Sequence, residues 1–157
     1  MPTDKSADAY LTTKVMTASQ EELRLLLIDG AIKFTKQGQQ ALANKDFAGL
    51  CEGFSRSRDI ILELVNSMRP EVAPELCKNV AGLYMFMYRL LVEAGLERDI
   101  AKADKVIVLL EYERETWILL MEKLAKERVG AAALRQRHAE PAQAASGSAY
   151  SPLSVAG

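Results

Sequence analysis

Residues 15–34 read "VMTASQEELRLLLIDGAIKF", and their spacing decides the fold class. Ser19 followed three residues later by Glu22 is a capping box, in which the hydroxyl accepts from an orphan backbone amide and the carboxylate reaches back. Glu21 and Glu22 also suit the positive end of a helix dipole. From there, at about 100° per residue, Leu23, Leu26, Leu27, Ala31 and Phe34 share one broad face. Leu25, Ile28 and Ile32 fall nearly opposite. A surface helix ordinarily has one apolar stripe and one wet side, so a second stripe asks for a second neighbour.

Working outward, glycine and proline fall where one helical pattern stops and the next begins. The first helix spans about Gln20 to Leu42, and "ANKDFAG" forms a turn with Asn44 or Asp46 as cap. A second helix runs from about Phe47 to Met68. "RPEVAP" breaks the chain, because proline tolerates the first turn of a helix but not its interior. A third helix covers about Pro74 to Ala94, with Gly95 as its stop. Asp99 then caps a long fourth helix reaching about Val129. Residues 1–18 read as an extended or weakly helical arm. Residues 130–157 carry too little apolar bulk to fold alone and read as a flexible, disordered tail, although "GAAALRQR" has the composition to prolong the last helix. With no strand-like run and short connections, the expected architecture is all-α, an antiparallel four-helix bundle over 19–129.

Bulk composition narrows the function. The 157 residues are 49% hydrophobic and 26% charged, with 20 Lys plus Arg against 21 Asp plus Glu and a formal charge of -1. That balance offers no electrostatic reason for a nucleic-acid partner. No run is long enough to span a bilayer and the opening residues lack the apolar core of an export signal, so no membrane insertion is expected and the cytoplasm is the expected compartment. Cys51 and Cys77 sit on separate apolar patterns and read as buried free thiols. No Cys/His cluster with metal-ligand spacing occurs. His138, the single histidine, lies in the tail, which removes histidine-based triads, relays and Glu-x-x-His metal sites. "EYERETW" (111–117) reads as a solvated charged face, with Glu111 and Glu115 at helical spacing about Arg114. No catalytic group, cofactor or metal is expected, and the chain does not read as an enzyme.

The helices differ in how much apolar surface they can spend. Phe47, Leu50, Cys51, Phe54, Ile61, Val65 and Met68 make the second helix one-sided. The third has a core face of Leu76, Val80, Leu83, Met87 and Leu90, plus a second stripe of Ala81, Met85, Tyr88 and Val92. The fourth groups Ile107, Leu110, Trp117, Ile118, Met121 and Leu124, with Val108, Tyr112 and Leu119 elsewhere. Two accounts fit. Either these helices are central and touch two neighbours each, or part of the surplus lines a groove for an amphipathic helix, which Met and Tyr suit. The arm's Tyr10, Leu11, Val15 and Met16 must lie on the bundle or on a partner, either permanently docked or as a gate over an empty groove.

The same residues resemble the FliS family of flagellar export chaperones. "TASQEELRLLLIDGAIKF" (17–34) is close to that family's Thr-Ala-Ser-Pro-Glu-Glu-Leu and Asp-Gly-Ala-Ile pattern, Tyr10, Lys14 and Val15 resemble its arm, and "LYMFMYRLLVEAGLERD" (83–99) resembles its Tyr-x-x-Met-x-x-Arg-Leu segment. "VIVLLEYERETW" (106–117) matches more loosely. Gln20 stands in place of the usual proline, Ile28 in place of a frequent Tyr, and Gly95 in place of a common Asn. The resemblance implies a cytoplasmic chaperone that binds the disordered C-terminal segment of flagellin, blocks premature polymerisation and keeps it competent for type III export, with the export gate as a further contact. It makes Tyr10 and Val15 candidate gate residues. Ile28, Ile32, Met85, Tyr88 and Tyr112 are candidate groove residues from their periodicity. Asp29, Gly30 and Ala31 match the motif and suit helix packing, with Gly30 admitting a close neighbour at about 1 kcal/mol of helix propensity. The rival reading is a structural bundle or adaptor whose second stripes form a homodimer interface.

Overall fold

A computed structural model of the chain describes residues 2–146, with side chains from 5 to 139. The described residues are all-α: α1 (Pro2–Thr17), α2 (Gln20–Ala43), α3 (Phe47–Asn66), α4 (Pro74–Glu97) and α5 (Ile100–Ser146). The chain divides into two compact units, Met1–Ile118 and Leu119–Gly157, with the division inside α5. The buried positions of α5 end at Leu110, well before that division.

Local chemistry sets most helix ends. Ser19 has an extended backbone and forms both arms of the capping box, Glu22 N donating to its Oγ at 3.2 Å and its own N donating to Glu22 Oε2 at 3.0 Å. Asp46 caps α3 by accepting from Gly49 N at 3.0 Å, and Asp99 caps α5 by accepting from Ala101 N at 2.9 Å. Pro74 opens α4 in the first turn, where its missing N–H costs nothing.

Three boundaries differ from expectation. The arm is a regular helix, in which Thr12, Thr13 and Thr17 turn their hydroxyls onto carbonyls four residues back, so these β-branched residues satisfy themselves within it. Helix α4 passes through Gly95, where a Cβ would meet Phe54 at an ordinary 3.7 Å, and ends at Glu97; Arg98 then takes the left-handed conformation, φ 55°. Its guanidinium stacks 3.9 Å over the Phe47 ring. Helix α5 does not stop near Val129 but continues to Ser146, because 130–139 is rich in alanine, the strongest helix former. The remainder of the expected tail, 147–157, lies outside the described residues.

In the first unit α2, α3, α4 and α5 meet around one core of Ile28, Ala31, Leu42, Leu50, Phe54, Ile61, Leu64, Tyr84, Met87, Leu91, Ala94, Ala103, Val106 and Leu110. Contacts fix their directions. Thr35 meets Ser57 while Arg24 meets Leu64, so α2 and α3 are antiparallel. Gly95 lies by Phe54 and Tyr88 by Arg58, which makes α3 and α4 antiparallel. Glu93 pairs with Lys102 while Tyr84 meets Glu113, and α4 and α5 follow suit. Finally Lys36 pairs with Glu111 and Asp29 with Arg114, setting α2 antiparallel to α5.

The α2–α3 contact is the closest. A Cβ at Gly53 would stand 2.6 Å from Gly38 N and 2.7 Å from Gly38 Cα, so the two backbones touch where side chains would part them. Gly30 plays a milder version of this role, 3.2 Å from Ile60. Beside the crossing, the fully buried Thr35 and Ser57 hydroxyls lie 2.8 Å apart and both reach the Ala31 carbonyl, leaving no polar atom orphaned.

Several expected burial assignments are corrected. Ile28 and Ile32 are buried core residues, not an outward stripe. Helix α2 is held by α3 on one side and α5 on another, so both its stripes face protein. Leu76, Phe47 and Cys51 are exposed and Cys77 is half-buried; both cysteines are free. These four sit near helix ends or on flanks, where helical spacing alone overstates the reach of the core.

Candidate functional site: an apolar face on the first unit

Unlike α2, helices α4 and α5 keep apolar side chains in solvent. On α5, Val108 is 63% and Tyr112 67% exposed, while Ile107 and Leu110 on the same stretch are buried. Lys105, Val108 and Tyr112 follow one another at three and four residues and therefore share a face. Lys105 Nζ lies 5.3 Å over the Phe86 ring, which brings α4 to the edge of that face. Phe86 and its neighbour Met85 are each 37% exposed. Gly82, one turn before Phe86, has open space above it. The result is an apolar seam along α4 and α5, with Lys105 at one end and no side chain at Gly82 to fill it.

Polar contacts tie α4 to α5 and to α2 beside this seam. The Lys102 ammonium sits 2.7 Å from Glu93 and 2.8 Å from Glu97, and these hydrogen bonds hold it above its usual titration range. At the other end Arg24 of α2 donates to Tyr84 Oη at 3.2 Å, lies near the Leu64 carbonyl and Ser67 Oγ, and stands 5.1 Å over the Trp117 ring. Tyr84 in turn donates to Glu113 at 3.1 Å, and Trp117 Nε1 donates to the Glu21 carbonyl at 2.9 Å. One guanidinium thus ties together groups from all four helices. Burial is the main reason the Tyr84 phenol is pushed up to about 12, with Glu113 adding to it and Arg24 opposing it.

The residues expected to meet a partner separate into three groups. Tyr112 and Met85 lie on the exposed α4 and α5 surface. Tyr88 is half-buried and faces α3, under the Arg58 guanidinium at 5.8 Å. Ile28 and Ile32 are inside. Tyr10 and Val15 are on α1, where every described side chain from Lys5 to Thr17 is exposed, Tyr10 by 70% and Val15 by 42%. The arm's apolar residues are therefore not tucked into the core.

Sequence reasoning missed Phe86, which falls between the two α4 stripes, and the Arg24–Tyr84–Trp117 cluster. The latter had one signal, a lone Arg inside the apolar run "ELRLLLI". Asp29 turns out to pair with Arg114, Nε to Oδ1 at 2.5 Å, a role its motif position did not reveal. Among the described residues no group of acidic, His and Cys side chains could hold a metal ion, and no helix is long and apolar enough to cross a membrane.

Residues 3–124 match the family described as Flagellar protein FliS. The chain is 30% identical over 122 residues to the Flagellar secretion chaperone FliS of Bacillus subtilis (strain 168), covering 78% of this chain and 90% of that protein. It is 28% identical over 118 residues to the protein of that name from Escherichia coli (strain K12), covering 72% and 87%. Against that of Salmonella typhimurium (strain LT2) the figures are 30% over 112 residues, 71% and 83%.

Proposed function

The chain belongs to the FliS family, and from that premise we propose that it is a flagellar secretion chaperone. It binds the C-terminal segment of flagellin in the cytoplasm and holds it, unpolymerised, for type III export. The observation that supports this is the persistence of large apolar side chains in solvent on α4, α5 and α1, in a unit where α2 exposes none and α3 exposes Phe47 at its first turn. We read α2–α5 as an antiparallel four-helix bundle that presents those residues on a rigid support.

The physics is coupled folding and binding. An amphipathic segment lays anchors at helical spacing into the α4–α5 seam. Covering a large apolar side chain contributes about 1.5–3 kcal/mol when burial is complete, and ordering the client costs about 2–5 kcal/mol. A seam with several such residues is therefore needed to win. Tyr10 and Val15 on the exposed arm, with Met85 and Tyr112, remain the proposed contacts; Ile28 and Ile32 support the fold from within. No step of this function calls for catalysis or a cofactor. The export gate is a further proposed contact through the loaded chaperone.

The test is titration of the purified protein with the C-terminal segment of its cognate flagellin. A one-to-one complex with gained helicity is expected. A tight homodimer that binds no segment overturns the proposal in favour of a structural bundle.

A further inference from the structure

The second unit begins just inside the family match, which ends at residue 124, and runs on beyond it. From Leu119 to Ala139, α5 is helical, and nearly all its side chains are exposed, including Leu120 at 41% and Leu134 at 57%. At 100° per residue Leu120, Leu124, Ala131 and Leu134 fall within an arc of about 80°. Lys123 and Arg137 border this stripe on one side, Arg135 on the other, and Glu122 lies at the back. Glu127 and His138 are the polar residues within the stripe. We propose that this helix is a docking site for an acidic amphipathic helix, one with apolar residues at three-and-four spacing and Glu or Asp on both flanks.

Charge selects the occupant. A second copy laid on this stripe, in either direction, would set basic flank against basic flank, and like charges at such positions oppose pairing. An acid-flanked helix meets the opposite arrangement: apolar against apolar in the middle, carboxylate against ammonium or guanidinium at both borders. Glu127 then fixes register, because only a partner with a polar or basic residue opposite it avoids burying an uncompensated charge. Duplex nucleic acid would engage the arginines but leave the leucines in water, so the apolar stripe argues for a protein helix.

The experiment uses the full chain and a labelled synthetic peptide, leucines at three-and-four spacing and glutamates on both flanks, with a lysine-flanked twin. Anisotropy is expected to show the glutamate peptide binding at least about tenfold tighter, with affinity falling as salt rises. Reversal of both borders in Lys123→Glu/Arg135→Glu/Arg137→Glu should switch the preference to the lysine peptide, and Leu120→Ser/Leu134→Ser should abolish both. These positions are exposed, so helicity by circular dichroism should match the parent. Equal binding of the two peptides overturns the proposal, as does displacement by polyglutamate or duplex DNA as effective as by unlabelled peptide. So does a homodimer in sedimentation that Leu120→Ser/Leu134→Ser dissolves. Flagellin binding is not among the readouts, so failure here leaves the chaperone assignment standing.

Discussion

Replacing Val108 and Tyr112 together by serine separates a binding face from a structural one. Both residues are about two-thirds exposed, so the bundle already hides only a third of each and their removal should change stability by less than about 0.5 kcal/mol, the scale of surface substitutions. A client helix could cover the remaining two-thirds. At about 1.5–3 kcal/mol for full burial, that makes each worth about 1–2 kcal/mol, and the pair about 2–4 kcal/mol, or roughly 30- to 1,000-fold in Kd. Leu110, on the same helix and fully buried, supplies the opposite case: Leu110→Ala should cost about 2–5 kcal/mol of stability through a cavity. Calorimetric titration with the cognate flagellin segment reads the first effect and urea unfolding the second. If the double serine variant binds within threefold of the parent while remaining fully folded, Val108 and Tyr112 are bystanders and the α4–α5 seam is not where the client sits.

Other consequences follow from single distances. Gly53→Ala adds a methyl 2.6–2.7 Å from the Gly38 backbone, which cannot yield, so despite about 1 kcal/mol of gained helix propensity it should lower stability by about 1–3 kcal/mol. Gly82→Ala meets nothing and should raise it by up to about 1 kcal/mol; the same sign for both in urea denaturation would refute the close crossing. Because the Tyr84 phenol is pushed up to about 12 from 10.0, the native state holds its proton more tightly than the unfolded chain. Its contribution is thus complete below pH 10 and lost as pH rises toward 12. Tyr84→Phe should flatten that part of the stability profile, and a profile parallel to the parent's would contradict it. Cys51 is exposed and Cys77 half-buried, so an aromatic disulfide reagent should label Cys51 first, with mass spectrometry of the peptides to verify the order.

Signals confined to one turn of chain were legible before any coordinates. Ser19 with Glu22, Asp46, Pro74 and Asp99 act within four residues of themselves, and each performs the role its spacing announced. The exposed side of α5 was legible too, since Val108 and Tyr112 fall off the stripe that Ile107 and Leu110 share. Gly95 shows where such reading fails. A glycine after an apolar run looks like a helix stop, yet here α4 runs through it to Glu97, packed beside Phe54 of α3, a residue far away in sequence and unreachable by local rules.

The amino-acid order alone determined that the chain forms long helices and where most begin, because caps, prolines and alanine content act through backbone groups a few residues away. Tertiary packing decided which apolar stripe is core and which is surface. Ile28 and Met85 have equal claims by periodicity, and α2 and α4 each lie between two neighbours, yet Ile28 is fully buried whereas Met85 stands on a flank of α4 left in water. Burial depends on how each helix is turned toward its neighbours, and that orientation is a property of the assembled unit, not of any helix within it.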